Sequence, residues 1–360
     1  MKKILINALP GIGDALMFTP ALKFLKETVP DSEIDVMVMY KSVEDIYKRL
    51  PFVNKIFYHD FLKENPFSSL KFVLSLRNKY DYSINIYPTN RKEYNFINLL
   101  IGANKRAGVS YLNLNTRELG FLNNIKISED DKLHNVEHNI KLVEKLINNK
   151  CDEISTLIFP LTDDDIEFSN KFIDENNLVD EKLLIGIHAG SSTLKNHINK
   201  RWSPEKFAEL SKMLISKFNA FVLIFGGPDE IDLKEKIKSL TDSERIIFVN
   251  TKSMDQTAAL IKKCGLFITN DTGLMHTAAA MQTNTAAIFG PTNTNLIKPW
   301  KVNHIILSLE LECQPCFYNS PNSLKCYRDD VQFKCLKELS PEFAFAQIKT
   351  FMESINLLPI

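Results

Sequence analysis

The chain has 360 residues, more than twice a typical domain, so two domains with separate cores are expected. Lys+Arg and Asp+Glu both number 44, which leaves no basic excess for nucleic acid. A hydrophobic fraction of 44% and a charged fraction of 24% suit a soluble globular protein, and no apolar run reaches the ~18 residues of a membrane span. The opening MKKILINALPGIG starts with positive charge, but Gly-Ile-Gly-Asp breaks its apolar run too early for a signal peptide. A cytoplasmic enzyme with reduced cysteines is the expectation.

KILIN (3–7) reads as a strand closed by ALPGIGD (8–14), and a helical pattern follows from 14 to 27. Pro20 predicts a kink there, or a restart with Thr19 as cap. Strands are expected at 33–39, 55–59 and 82–87, with a helix at 67–79. The polar run LTDDDIEFSNKF (161–172) interrupts the alternation and marks a domain boundary. Beyond it, strands are expected at 183–188, 220–226, 246–249, 266–269 and 285–292. Helices fall between them, the one at 203–214 with Ser203 as cap and Pro204 at its first position. A last helix spans 340–355. Two doubly wound α/β halves fit this better than one large sheet, with ligands expected at the carboxyl ends of the strands.

Four polar motifs fall at such junctions. In ALPGIGDAL (8–16), Gly11 and Gly13 allow a tight turn and close approach of a ligand, and Asp14 is either a helix cap or a general base. A dinucleotide fingerprint fits poorly, because Leu16 takes the place of its third glycine. In HAGSSTLKNHINKRW (188–202), small and hydroxyl residues lead to Lys200, Arg201 and a helix start, a combination suited to a diphosphate. FGGPDE (225–230) is a turn that sets Glu230 at the next helix, where it can accept from ribose hydroxyls.

The fourth motif is FITNDTGLMHTAAAMQ (267–282). Asp-Thr-Gly is also the triplet of aspartic proteases, but those enzymes pair two such carboxylates and this chain has one copy. The favoured reading is a helix end capped by Asn270 and Asp271. Thr272 and Gly273 would then turn their N–H groups toward phosphate, with His276 one turn further on. Cys313, Cys316, Cys326 and Cys335 are compatible with a four-thiolate zinc or iron site, with buried thiols, or with a disulfide outside the cell.

The order G-I-G-D, H-A-G-S-S with a later Lys-x-Trp, N-D-T-G-L-M-H and F-G-P-T resembles glycosyltransferase family 9 across nearly the whole chain. Its members are the ADP-heptose:lipopolysaccharide heptosyltransferases. The resemblance implies the GT-B fold, two Rossmann-like domains facing across a cleft, with a C-terminal helix returning to the N-terminal domain. The expected divisions are 1–165 on the acceptor side, 166–339 for the nucleotide sugar, and 340–360 for the returning helix. The implied activity is inverting transfer of heptose or a related sugar from a nucleotide diphosphate donor, ADP-heptose, to a lipopolysaccharide core or lipid A acceptor.

By the resemblance, Asp14 is the general base, and Ser191, Ser192 and Lys200 lie near the diphosphate. Glu230 lies on the nucleotide side, and Asp271, Thr272, Gly273 and His276 form the donor-binding turn. Arg201 between Lys200 and Trp202 leaves two cations for one phosphate position. No cofactor or metal is required in this reading, because the cations and the helix end replace a divalent ion. Work at the cytoplasmic face of the inner membrane is expected, with peripheral contact. The alternatives are a heptosyltransferase acting on an autotransporter protein, in which a similar cysteine set binds iron, a non-catalytic sugar-nucleotide-binding relative, and a Rossmann dehydrogenase.

Overall fold

The structure is a computed structural model that describes residues 1–89, 91–111, 116–178, 183–318 and 322–358. The chain divides into two compact units, Met1–Pro160 with Asn295–Ile297, and Leu161–Thr294 with Lys298–Ile360.

The first unit begins with β1 (Lys3–Ala8), α1 (Ile12–Thr28), β2 (Glu33–Val38), α2 (Lys41–Tyr47) and β3 (Lys55–Tyr58). It continues with α3 (Pro66–Ser75), β4 (Tyr82–Asn85), α4 (Lys92–Ile101), β5 (Lys105–Ser110), β6 (Ile125–Ser128) and α5 (Asn135–Ile147). The strands form a parallel sheet in the order β3-β2-β1-β4-β5-β6. Ile4 of β1 sits in register with Ile34 of β2 on one side and Tyr82 of β4 on the other. Helices on both faces explain why β1 and β2 are buried along nearly their whole length.

The second unit runs α6 (Asp163–Glu175), β7 (Leu184–His188), α7 (Pro204–Phe218), β8 (Phe221–Phe225), α8 (Ile231–Thr241), β9 (Ile246–Phe248) and α9 (Met254–Lys263). Next come β10 (Leu266–Asn270), α10 (Gly273–Ala280), β11 (Thr285–Ile288), α11 (Thr294–Ile297, whose last three residues group with the first unit), β12 (His304–Leu307), α12 (Lys334–Lys337) and α13 (Pro341–Ser354). Its parallel sheet has the order β12-β11-β10-β7-β8-β9. Counted from each unit's own first strand, both sheets follow the doubly wound order 3-2-1-4-5-6, so each is Rossmann-like. The order reverses between β1 and β4 in one unit and between β7 and β10 in the other.

Three features depart from expectation. Helix α1 runs unbroken through Pro20, because the Thr19 hydroxyl donates to Leu16 O at 2.7 Å. Leu16 is the carbonyl that loses its backbone donor to the proline, so the side chain replaces the missing hydrogen bond. The polar run 161–172 does begin at the unit boundary, between Pro160 and Leu161, but it is not irregular. It forms α6, where Thr162 and Asp165 make a capping box and Ser169 and Ile173 are buried. Finally, α13 belongs to the second unit. Its stripe Ala344, Ile348 and Met352 enters the core that holds Trp202 and Phe207, and Phe345 stacks on Phe218 of α7 with ring centroids 5.7 Å apart. Among the described residues, no helix is long and apolar enough to cross a membrane.

Candidate active site

The polar motifs of the second unit converge at its strand-order reversal. Asn270 closes β10, and its amide donates to Ala189 O at 2.8 Å and Gly190 O at 3.2 Å beyond β7. Its oxygen accepts from Trp202 N at 3.0 Å. Trp202 is fully buried, and its indole donates to Leu339 O at 2.9 Å. A large aromatic thus anchors the end of the 188–202 segment and fixes Lys200 and Arg201 just before α7. Asn270, expected as a helix cap, instead ties three chain segments together.

Lys200 Nζ lies 2.7 Å from Asp271 Oδ2, and the two side chains are only 10% and 8% exposed. Thr292 also donates to that oxygen, at 2.8 Å. Burial pushes the Asp271 carboxyl up, but Lys200, Thr292 and His276 together hold it below the usual carboxylate range. Burial takes the His276 imidazole down to about 4, with Asp271 opposing and Lys200 assisting. His276 is therefore neutral at physiological pH. Its Nδ1 is buried without a hydrogen-bond partner.

Arg201 faces a different carboxylate. Its Nη2 donates to Ser191 O at 2.6 Å and lies 3.8 Å from Glu230 Oε1. The Ser191 hydroxyl accepts from Arg201 Nε at 3.2 Å and donates to His197 O at 2.9 Å, so it serves the loop itself. Ser192 is exposed, and its hydroxyl accepts from Leu194 N at 3.2 Å. Glu230 stands at the N-cap of α8, beyond the Gly226-Gly227 turn, and Oε2 accepts from Gly227 N at 3.1 Å. A Cβ at Gly190 would lie 1.6 Å from Glu230 Oε1, so a larger residue there would push this carboxylate out of its place.

His188 joins the two halves of the cluster, with Nε2 at 3.0 Å from Glu230 Oε2 and Nδ1 at 3.1 Å from Thr272 Oγ1. Burial raises the Glu230 carboxyl, yet His188, the Gly227 N–H and Arg201 bring it below its ordinary range. Thr272, not Asn270 or Asp271, occupies the N-cap of α10, and no side chain caps this helix. The first N–H groups of α10, from Gly273 on, form a positive helix end, and Asp271 just before it holds Lys200. The arrangement can hold an anionic, multiply oxygenated group. His188, Asn270 and Thr292 were missed as site residues. His188 carried a signal, a titratable residue closing a buried strand at the reversal point.

Gly11, Gly13 and Asp14 form their own group in the first unit. Gly11 is the N-cap of α1 at φ −75°, and a Cβ there would meet nothing within 4 Å. Neither backbone conformation nor neighbouring atoms require a glycine at 11. Asp14 is in the first turn, not at the cap, and partly exposed; burial raises the phenols of Tyr47 and Tyr94, and the nearby Asp14 charge adds to it. At the β1–β4 reversal, buried asparagines support the strand ends: Asn7 donates to Asn85 at 2.8 Å and to Asn98 at 3.1 Å, and Asn98 to Asn123 at 2.7 Å.

None of the cysteines is in a disulfide. Cys335 is buried and raised to about 11, first by burial and then by the other three thiols of its cluster. Cys313 accepts from Arg328 at 3.6 Å and Cys326 from Phe333 N at 3.2 Å. Among the described residues, no group of three or more His, Cys, Asp or Glu side chains is arranged to hold a metal ion.

Comparison with known proteins places this geometry. Residues 69–328 match the model of glycosyltransferase family 9 (heptosyltransferase). A lipooligosaccharide heptosyltransferase 2 from Campylobacter jejuni is 28% identical over 362 residues, 99% of this chain and 100% of that protein. The solved family 9 glycosyltransferase of Veillonella parvula superposes with a TM-score of 0.75 at 21% identity, over 99% of this chain and 97% of the other. The E. coli ADP-heptose lipopolysaccharide heptosyltransferase II structure gives 0.74 at 22% identity, over 98% and 99%. With two Rossmann-like units of the GT-B fold and a family model covering most of its length, the chain belongs to glycosyltransferase family 9, the heptosyltransferases, and is a glycosyltransferase.

Proposed function

We propose that this enzyme transfers heptose from ADP-heptose to the core of a bacterial lipopolysaccharide, with inversion at the anomeric carbon. The relatives' names supply the substrates. The observation that carries the donor side is the buried, unpartnered His276 Nδ1 beside a helix end with no side-chain cap and the Lys200 ammonium. An orphaned buried polar atom costs about 1–3 kcal/mol, and a bound sugar nucleotide relieves it.

As the sugar–phosphate bond breaks, the departing diphosphate gains charge. Lys200, Arg201 and the first N–H groups of α10 stabilise it, and Glu230 accepts from the ribose. Asp14 removes the acceptor hydroxyl's proton as that oxygen attacks. One displacement from the face opposite the leaving group inverts the centre. The reading requires no metal at the donor site, because fixed cations and dipoles supply the positive charge. It places the enzyme in the cytoplasm, at the inner membrane's inner face, where a lipid-linked acceptor is made.

Thermal unfolding with a panel of nucleotide sugars tests the donor. ADP-heptose at about 100 times its Kd stabilises the fold by about 2.7 kcal/mol, a rise of several degrees. Lys200→Ala removes most of that rise. Equal shifts with every nucleotide sugar, or none with ADP-heptose, contradict the assignment.

A further inference from the structure

The outer surface of the first unit carries a feature that the transfer reaction does not use. Helices α3 and α4 send Val73, Leu76 and Ile101 into a core beneath them. Their opposite faces keep large apolar side chains in water. Phe67 is 77% exposed, and Leu70 and Leu74 follow it at helical spacing on α3, with Leu62 just before the helix at 63%. Phe96 and Leu99 extend the patch onto α4, which packs against α3. Scattered exposed leucines are ordinary, but here five large apolar side chains stand exposed on two helices in contact, with Leu62 just ahead of them.

The charge around this face is one-sided. Residues 61–106 hold eight Lys or Arg and three Asp or Glu, a net +5 in a chain whose total charge is zero. Lys71, Arg77 and Lys79 are exposed and make no ion pair among the described residues. An apolar stripe bordered by uncommitted cations is the composition of a helix that lies in a membrane interface. Helices α3 and α4 also start from the carboxyl edge of their sheet, the edge at which Asp14 opens α1.

We infer that the outer face of α3 and α4 docks the enzyme on anionic phospholipid, with Phe67 and its leucine stripe entering the acyl boundary and the flanking cations binding headgroups. The purpose of docking rests on the proposed lipid-linked acceptor. The docking itself does not.

Co-sedimentation of the full chain with phosphatidylcholine vesicles, with and without phosphatidylglycerol, tests this without donor or acceptor. Failure here is therefore separate from failure of the transfer reading. The chain should partition to phosphatidylglycerol vesicles, less to phosphatidylcholine alone, and less again in high salt. The variant Phe67→Ser/Leu70→Ser/Leu74→Ser should partition at least about tenfold less, as should Lys71→Glu/Arg77→Glu. Both should melt where the parent does, and Phe343→Ser on the second unit should bind as the parent does. Parent chain that stays with the supernatant overturns the inference. So do patch variants that still bind vesicles, including ones that instead change the oligomeric state on gel filtration, the mark of a protein interface.

Discussion

Lys200 and Asp271 show how far the donor site departs from a surface ion pair, since neither side chain exposes more than 10% of itself. Removing one partner of such a pair strands a buried charge, so Lys200→Met should destabilise the fold by about 3–5 kcal/mol in urea unfolding. Lys200→Met/Asp271→Leu should recover most of that loss, yet bind ADP no better than the single variant. Equal destabilisation in both variants contradicts the pairing. His276 makes a pH prediction. Its folded value of about 4 lies below the ordinary 6.5, so the unfolded chain takes up the proton first as pH falls. Its contribution to stability is complete above pH 6.5 and is lost as pH drops toward 4. Between those limits, stability in His276→Asn should depend on pH less steeply than in the parent, by up to about 1.4 kcal/mol per unit. Identical slopes count against a buried neutral imidazole.

Element by element, the legible parts were those with one-dimensional signals. The strands at 184–188 and 266–270 were bounded apolar runs, and the Ser340-Pro341 start of α13 followed capping rules. Pro20 misled because its remedy is tertiary as well as local. The Thr19 hydroxyl donates to Leu16 O and also accepts from Ile158 N at 2.9 Å, across 139 residues of chain. Thr19→Val should strand both groups and cost about 1–3 kcal/mol, read as a lower urea midpoint. An unchanged midpoint would show that α1 needs no such repair. Asp271 and Asn270 were read as caps because capping is the local use of such residues. Their actual partners, Lys200, Thr292, Trp202 and Ala189, lie 21 to 81 residues away. Spacing alone does not encode distances of that kind.

At the scale of the whole molecule, two sheets with one strand order each put their polar motifs where that order reverses. The motifs were visible in the sequence because a doubly wound sheet confines chemistry to short strand-to-helix turns. The destination of α13 was not, since its apolar stripe suits either unit and only packing against α7 decides. The central claim is that Asp14 and the donor cluster carry out heptose transfer. Its most direct measurement is the steady-state rate of transfer from saturating ADP-heptose to heptose-deficient lipopolysaccharide, for the parent chain and for Asp14→Asn. The account predicts transfer by the parent and a kcat about 10²–10⁴-fold lower in the variant. A variant as fast as the parent, or a parent that leaves ADP-heptose untouched in the presence of the acceptor, would contradict it.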